Sequence, residues 1–235
     1  MNQKTMYFVL GDVSSQHVGI ALQGAPRFSA PQPRVDVVSV PGRNGDLVFH
    51  DGSYENVECE IDCFVLHHQV YDALAAVNGW VNAQRYQKLS FDGDPNAYRL
   101  ARTVNGAEVA ARLRLLNPFT IKLDCKPQRF LVSGDTPVTF TASGVLDNPG
   151  VGGLPLIRVY GTSGTVRIND ALITINTIDD YIDIDCDLQD AYKGTLNKNS
   201  SISCDEFPAL AAGRNRVIIN GDITRVQITP RWYTL

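Results

Sequence analysis

The stretch Val57-Glu58-Cys59-Glu60-Ile61-Asp62-Cys63-Phe64-Val65 decides the fold class, because apolar and acidic side chains alternate along it. In a β-strand, successive side chains point to opposite faces, so a period of two indicates a strand with one buried face. The face predicted to be buried carries Val57, Cys59, Ile61, Cys63 and Val65. The face predicted to meet solvent carries Glu58, Glu60 and Asp62.

The rest of the chain has the turn signals expected of many short strands, with 19 glycines and 12 prolines among 235 residues. Tyr181–Leu188 alternates like Val57–Val65, with Ile182, Ile184 and Cys186 facing inward. Asn-Gly favours the tight turn of a β-hairpin. Hairpins are predicted at Asn105-Gly106 (between Tyr98–Val104 and Glu108–Leu116), at Asn220-Gly221 (between Arg216–Ile219 and Ile223–Ile228) and at Asn169-Asp170.

One helix is predicted, from about Gln69 to Tyr86. Apolar residues recur there at spacings of four, three and four, which places them on one helical face: Val70, Leu74, Val77 and Val81. Asn78-Gly79 lies within this segment, and an internal glycine costs about 1 kcal/mol relative to alanine. The helix can therefore break at that pair.

Residues 126–137 contain two prolines, a glycine and no periodicity, which predicts a domain boundary. The sequence before it predicts a β-rich domain with one helix, residues 1–130. Strands then recur every 8–12 residues, the pattern of a β-sandwich, over residues 137–228. Residues 229–235 form a terminal segment.

Composition argues against several classes of function. Hydrophobic residues make up 44% of the chain and charged residues 20%, so a sizeable core is expected. The net charge of -4 and the lack of a long basic stripe argue against a dedicated nucleic-acid binder. The nearest basic stretch, expected on the outer face of a hairpin, is Arg99, Arg102, Arg112 and Arg114. No membrane span or export signal is expected.

Five scattered cysteines favour reduced, buried thiols over disulfides. Cys59, Cys63, His67 and His68 raise the alternative of a zinc site. However, four residues of a strand span about 13 Å, whereas zinc ligands must lie about 2.0–2.3 Å from the metal. Two cysteines on a core face are therefore expected, with no metal or other cofactor.

Asp183, Asp185 and Asp187 imitate the start of a calcium-binding loop. The glycine that such a loop needs at its sixth position is Leu188 here, and the glutamate at its twelfth is Gly194. The three carboxylates are therefore interpreted as the solvent side of a strand, with a weak surface cation site as the alternative. No nucleophile elbow or phosphate loop occurs, so no catalytic residues are predicted.

Six aromatic residues could stack on sugars, although aromatics on strands are more often part of the core. They are Trp80, Tyr160, Tyr181, Tyr192, Trp232 and Tyr233. A lectin-like module for attachment to the host cell wall is therefore one alternative function. A hydrolase with an unrecognised pair of carboxylates is another.

Several motifs, in order along the chain, resemble the siphophage distal tail protein family. They are Val40-Pro41-Gly42-Arg43-Asn44-Gly45-Asp46-Leu47, Tyr54-Glu55-Asn56, a helix with Trp80, Asp92-Gly93-Asp94-Pro95-Asn96-Ala97-Tyr98, Asn148-Pro149-Gly150, Pro155-Leu156-Ile157, Phe207-Pro208-Ala209-Leu210, Gly213-Arg214-Asn215 and Ile228-Thr229-Pro230-Arg231-Trp232.

The resemblance implies a mainly β protein whose N-terminal β-sandwich carries one helix and assembles into a hexameric ring. It implies a C-terminal galectin-like β-sandwich at the periphery of that ring. Such a ring joins the tail tube protein to the tail-associated hub protein at the virion tail tip. It leaves a channel for DNA without reading its sequence. The resemblance also implies a structural protein of the baseplate, not an enzyme, assembled in the host cytoplasm.

Two sets of residues are candidates for functional contacts. The Pro41–Asp51 hairpin is predicted to contact a neighbouring subunit and not a ligand. Its tip is formed by Gly42, Arg43, Asn44 and Gly45, and arginine can make forked contacts to a carboxylate or carbonyls. An ordinary exposed turn is the alternative. Trp232 and Tyr233 are expected to pack against the first domain, and a last strand completed within the second domain is the alternative.

Overall fold

The computed structural model describes residues 6–66, 69–82, 85–115 and 118–235. The protein is mainly β, as predicted, and divides into two compact units, Met1–Arg129 and Phe130–Thr234. The division falls inside a continuous strand, Phe119–Leu131, followed by a 3-10 turn at Val132–Asp135. This division lies within residues 126–137, the range named as a boundary from the sequence, and the backbone there stays in a strand as far as Leu131.

The first unit contains ten strands and two helices among its described residues. They are β1 (Phe8–Leu10), β2 (Val13–Ser14), β3 (Ile20–Leu22), β4 (Arg27–Phe28), β5 (Pro33–Val38), β6 (Leu47–Tyr54), β7 (Val57–Val65), α1 (Val70–Asn82), β8 (Gln87–Phe91), β9 (Asp94–Thr103), α2 (Gly106–Arg114) and β10 (Phe119–Leu131).

Strands β7 and β10 pair antiparallel, with Ile61 opposite Ile121. The inner face of β7 is buried from Val57 to Cys63, which confirms the alternation read from the sequence. On the outer face, charged side chains bridge the strands, and Lys122 Nζ lies 2.8 Å from Glu60 Oε1. Hydrogen bonds from Lys122 and, to a smaller extent, from Arg27 hold the pKa of Glu60 below its usual value.

Helix α1 runs without a break from Val70 to Asn82. Ala73, Val77 and Trp80 are buried in the core of the first unit. Gly79 lies on the exposed side of the helix, so its missing side chain costs no packing there. The predicted helix is therefore confirmed over Val70–Asn82.

A second helix, α2, replaces the hairpin predicted at Asn105-Gly106. Val109 and Leu113, four residues apart, bury one face of this helix. The Asn105 side chain forms two hydrogen bonds with the backbone of β10, donating to the Thr120 carbonyl and accepting from the Lys122 N–H. Asn105 therefore anchors the start of the helix to a neighbouring strand, and the prediction of a tight turn was wrong.

The second unit contains ten further strands and a 3-10 turn at Asn199–Ser201. The strands are β11 (Val138–Phe140), β12 (Gly144–Gly153), β13 (Leu156–Ile168), β14 (Ala171–Ile175), β15 (Tyr181–Asp185), β16 (Asp190–Lys193), β17 (Leu196–Asn197), β18 (Ile202–Ser203), β19 (Leu210–Thr229) and β20 (Trp232–Thr234).

Strand β13 organises the second unit, because it pairs with β14, β15 and β19. Asn169-Asp170 joins β13 to β14 in a tight turn, as predicted, and Asn169 takes a positive φ of 52°. The inner side chains of β13, including Ile157, Val159 and Val166, lie in a buried apolar core. This core belongs to the second unit alone.

The hairpin predicted at Asn220-Gly221 is wrong, because β19 runs through this pair as one strand of twenty residues. Its register with β13 shifts nearby, and Gly221 stands opposite Gly164 with a φ of 82°. A Cβ at Gly221 would lie 2.7 Å from the Gly164 Cα. The glycine therefore permits an irregular close approach of two long strands, and not a reversal of the chain.

Among the described residues, neither helix combines the length and the apolar character needed to cross a membrane.

Candidate functional site

Strands β5 and β6 form a two-stranded sheet of their own in the first unit. Their antiparallel register places Val37 opposite Val48 and Asp36 opposite Phe49. Because side chains alternate along a strand, Val37 and Val48 share one face of this β5–β6 hairpin, and Asp36 and Phe49 share the other. The hairpin therefore presents two chemically different faces.

Both faces of the β5–β6 hairpin carry exposed apolar side chains. Val37 is 58% exposed, Val48 62% and Phe49 57%. A two-stranded hairpin by itself is marginally stable in water, and a contiguous exposed apolar patch marks an interaction site. The hairpin is therefore the leading candidate for an assembly surface. The hairpin predicted from the sequence, Pro41–Asp51, includes the tip and the start of β6 but not β5.

The tip residues Gly42, Arg43, Asn44 and Gly45 lie in the exposed loop that joins β5 to β6. Gly42 and Gly45 take positive φ angles of 80° and 79°, which glycine adopts without strain. The Arg43 N–H donates to the Val40 carbonyl at 3.1 Å, which closes a turn, and the Arg43 side chain is exposed. The contact of Arg43 with a neighbouring subunit stays a prediction.

An apolar cleft of about 440 Å³ opens elsewhere on the first unit. Leu22, Pro26, Phe28 and Phe91 are among the residues that line it, and the β5–β6 hairpin contributes none. The rings of Phe28 and Phe91 meet edge to face, with 6.1 Å between their centroids, and Phe28 is 39% exposed. We call this feature the Phe28 cleft.

Two arginines lie at the Phe28 cleft. Arg129 Nη2 lies 2.6 Å from an Asp94 carboxylate oxygen. The Arg99 guanidinium lies 5.0 Å from the centre of the Phe28 ring and donates to the Pro127 carbonyl at 2.6 Å. Burial lowers the pKa of Arg99, and within the described parts of the chain no carboxylate forms a salt bridge with it. The lining of the cleft therefore combines apolar side chains with two arginines, Arg99 and Arg129, and two carboxylates, Asp92 and Asp94.

The four arginines of the basic stretch do not lie on one hairpin face, so that expectation was wrong. Arg99 and Arg102 lie on β9, and Arg112 and Arg114 lie on α2. Arg102 Nε donates to Asp124 at 2.7 Å. The helix separates the two pairs, because α2 takes the place of the second hairpin strand.

The carboxylates of β15 are buried, contrary to the expectation that they face solvent. Asp183 and Asp185 are each 3% exposed. Arg158 donates to both oxygens of Asp183 at 2.6 and 2.7 Å, and Arg231 donates to both oxygens of Asp185 at 2.8 and 3.0 Å. Arg158 lies on β13 and Arg231 immediately before β20, so the sequence of β15 alone cannot show that its carboxylates have partners.

Two of the six aromatic residues named as possible sugar contacts come together on one face of the second unit. The rings of Tyr160 and Tyr181 lie 6.2 Å apart. The guanidinium of Arg225 lies 3.9 Å from the centre of Tyr160, and that of Arg158 lies 4.4 Å from the centre of Tyr181. The Tyr160 hydroxyl donates to Gln227 Oε1 at 3.1 Å. We call this arrangement the Tyr160 face.

The other aromatics named from the sequence do not join the Tyr160 face as stacked rings. Trp80 is buried in the first core, and Tyr192 lies on β16 with its pKa raised by burial and by the carboxylates nearby. Trp80 therefore has a packing role.

Trp232 lies in the core of the second unit and is 7% exposed. Its indole N–H donates to Ser133 Oγ at 2.9 Å, and its backbone pairs with Gly153 of β12. The ring of Tyr233 meets Phe130 edge to face at 6.0 Å. These contacts place Trp232 in the core of the second unit, the position that the alternative of a last strand completed there expects.

Cys59 and Cys63 lie on the buried core face of β7, as the sequence predicted. Burial raises the pKa of the Cys63 thiol. His67 and His68, the other residues of the zinc alternative, lie outside the described residues. Within the described ranges, no group of three or more metal-ligating side chains is assembled.

Comparison with known proteins finds similarity in structure but not in sequence. No family model matches the chain, and no curated protein matches it. The crystal structure of the SPP1 Dit protein, described as a paradigm of the hub adsorption apparatus in phages that infect Gram-positive bacteria, matches with a TM-score of 0.70 and 14% identity. The match covers 96% of this chain and 98% of that one. Over nearly its whole length, the chain therefore has the fold of the SPP1 Dit protein.

Proposed function

We propose that this chain is a structural subunit of a phage tail tip. The near full-length agreement with the fold of SPP1 Dit carries the proposal. The distal tail protein motifs that run from Val40 to Trp232 support it from the sequence. The exposed apolar hairpin supports it from the structure, because a subunit of an assembly must keep a surface available for its neighbours.

In this proposal the subunits form a closed hexameric ring through the first unit. The ring joins the tail tube protein on one side to the tail-associated hub protein on the other, and its centre is a channel for DNA. It is assembled in the cytoplasm of the host and remains at the virion tail tip. The chain has a structural role and performs no catalysis.

Purification of the full chain, alone and mixed with its tail tube protein, tests the proposal. Light scattering and electron microscopy should detect closed rings whose mass equals six chains. Immunogold labelling should place the protein at the distal end of the tail. Monomers alone in a concentrated mixture with the tube protein would contradict the proposal.

A second candidate function is the binding of cell-wall sugar, and the Tyr160 face is the observation that favours it. Sugar sites combine aromatic rings with polar side chains held in fixed positions. Here Arg158 is fixed by both oxygens of the buried Asp183. Calorimetry with solubilised cell-wall glycans would detect binding, and Arg225→Ala should abolish it. Unchanged binding by Arg225→Ala, or no binding by the natural chain, would exclude this face as a sugar site.

A further inference from the structure

We propose that the outer face of the second unit binds a linear, uncharged glycan that lies across its strands. The site extends the Tyr160 face into a row of polar side chains that crosses six strands. The proposal rests on the second candidate function, the binding of cell-wall sugar, and it names the kind of sugar and the limits of its site. The role at the tail tip does not depend on it.

The pairing of the strands places this row. Arg158 of β13 stands opposite Asp183 of β15 on one side and opposite Gln227 of β19 on the other. Asp183 stands in turn opposite Tyr192 of β16, and Gln227 stands opposite Thr139 of β11. Directly opposite residues share one face of a sheet, so these side chains point the same way. With Asn197 of β17, which stands opposite Tyr192, they form the polar row: Asn197, Tyr192, Asp183, Arg158, Gln227 and Thr139.

The polar row is long enough for a chain of sugars. Neighbouring strands lie about 4.7–4.9 Å apart, so the five steps from β17 to β11 span about 24 Å. A shorter row runs beside it, in which Tyr160 stands opposite Tyr181 on one strand and Arg225 on the other. A chain that follows the polar row is therefore flanked near its middle by the two rings of the Tyr160 face.

The side chains of the polar row have the chemistry of a sugar site. Hydroxyl and amide groups both donate and accept hydrogen bonds, as the hydroxyl groups of a sugar do. The buried centre of a protein–protein interface is apolar and poor in charged residues, whereas none of the six side chains of the polar row is aliphatic. The polar row therefore favours a glycan over a protein partner.

The middle of the polar row is fixed before a ligand arrives. On the inner side of the same strands, Ile157 and Val226 are buried in the core, which holds the backbone in place. The Tyr160 hydroxyl donates to Gln227 Oε1 at 3.1 Å, and Arg158 is held by both oxygens of its carboxylate partner. A site whose polar groups are already ordered loses less conformational entropy when it binds. These groups are therefore preorganised for a ligand.

The charges in and around the polar row favour an uncharged chain. Within the row, Asp183 neutralises Arg158. The charged side chains at its border are Arg225, Lys193, Asp179, Asp180 and Asp187, of which three are negative. The face therefore carries no excess of positive charge that would attract a polymer of phosphates or carboxylates.

Binding of oligosaccharides of increasing length tests the proposal. The probes are uncharged linear oligosaccharides, from disaccharides to octasaccharides, and size-matched members that carry carboxylates or phosphates. The affinity of the full chain for the uncharged series should rise by about tenfold or more with length, because longer chains reach the hydrogen-bonding groups at both ends of the row. Preference for the charged members, or equal affinity at every length, would overturn the proposal.

Substitutions toward the ends of the polar row test its extent. Thr139→Val and Tyr192→Phe each remove one hydroxyl group and keep the size of the side chain. Each should weaken binding of the octasaccharide about three- to tenfold, the effect of one lost hydrogen bond, and weaken binding of the disaccharide less. Thr174→Val is the matched control, because Thr174 lies on β14, which takes no part in the row. The control should bind as the natural chain does.

The outcomes separate the polar row from the function on which it rests. If Arg225→Ala abolishes binding while Thr139→Val and Tyr192→Phe bind long chains as the control does, the sugar site is confined to the Tyr160 face and the polar row is wrong. If no oligosaccharide binds, the second candidate function and the polar row both fail. If the tail tube protein binds instead, and Thr139→Val weakens that binding, the face is a protein interface and the proposal is wrong.

Discussion

The buried pair of Asp185 and Arg231 makes a measurable contribution to the stability of the second unit. Asp185→Asn keeps the shape of the side chain, and its oxygen can still accept from the Asp187 and Leu188 N–H groups at 3.1 and 3.2 Å. The substitution removes the negative charge and leaves the guanidinium of Arg231 without its partner. Breaking a buried pair in this way costs about 3–5 kcal/mol.

The expected loss of stability lies at the lower end of that range, about 3 kcal/mol. The Arg231 side chain is 28% exposed, so water can partly solvate its unpaired charge. Urea unfolding at pH 7, followed by tryptophan fluorescence, measures the difference. Asp187→Asn is the matched control, because Asp187 is exposed on the adjoining turn. The control should change stability by less than about 0.5 kcal/mol.

The stability difference between the natural chain and Asp185→Asn should depend on pH. Burial alone would raise the pKa of Asp185, but the hydrogen bonds and the charge of Arg231 outweigh it, and the pKa lies below its usual value. The stabilisation is therefore complete above the unfolded pKa of about 3.9 and is lost as the pH falls through the lower, folded pKa. The natural chain should exceed Asp185→Asn by the same margin from pH 5 to 7, and by less near pH 3. A margin that is absent at pH 7, or that does not shrink in acid, would refute the reasoning.

Three further predictions concern packing and reactivity in the second unit. Trp232→Ala should lower the free energy of unfolding by about 3–5 kcal/mol, whereas Trp232→Phe, which keeps a ring but loses the indole N–H, should cost less in the same urea experiment. Gly221→Ala should destabilise more than Gly213→Ala, since both positions have positive φ but only the Cβ at Gly221 meets backbone, at 2.7 Å; equal losses would show that the clash is relieved. Burial raises the pKa of Cys186 to about 12, so iodoacetamide at pH 8 should label the half-buried Cys204 first, and mass spectrometry of digests can establish the order.

The sequence predicted elements whose signal is local and repeated. The alternation from Val57 to Cys63 and the helical stripe through Val77 each reflect a single buried face, and the structure has both. Asn169-Asp170 is a turn because its neighbours pair at once. In such an element the side chains alternate between a buried and an exposed face, so the sequence pattern can be recognised without knowing what the element packs against.

The features that sequence reasoning missed depend on distant partners. Asn105-Gly106 has the composition of a hairpin turn, but hydrogen bonds from Asn105 to β10 make it the start of a helix. Asp183 looks like a solvent-facing carboxylate until Arg158, 25 residues earlier, is seen to pair with it. The Phe28 cleft likewise combines β4, β8 and β9, whose proximity only the folded chain reveals.

Strand β12 carries three glycines, Gly150, Gly152 and Gly153, where the end of the chain crosses it. A Cβ at Gly150 would clash with the Tyr233 carbonyl oxygen, one at Gly152 would lie 2.8 Å from the Tyr233 hydroxyl, and one at Gly153 would lie 2.7 Å from the Pro230 carbonyl oxygen. Strand β20 therefore approaches β12 closely at positions where glycine leaves room for it. In a library that samples every amino acid at every position, Gly150 and Gly153, which meet backbone atoms, should tolerate replacement less well than Gly152, which meets the end of the Tyr233 side chain. Shortening the chain before Trp232 should remove this difference.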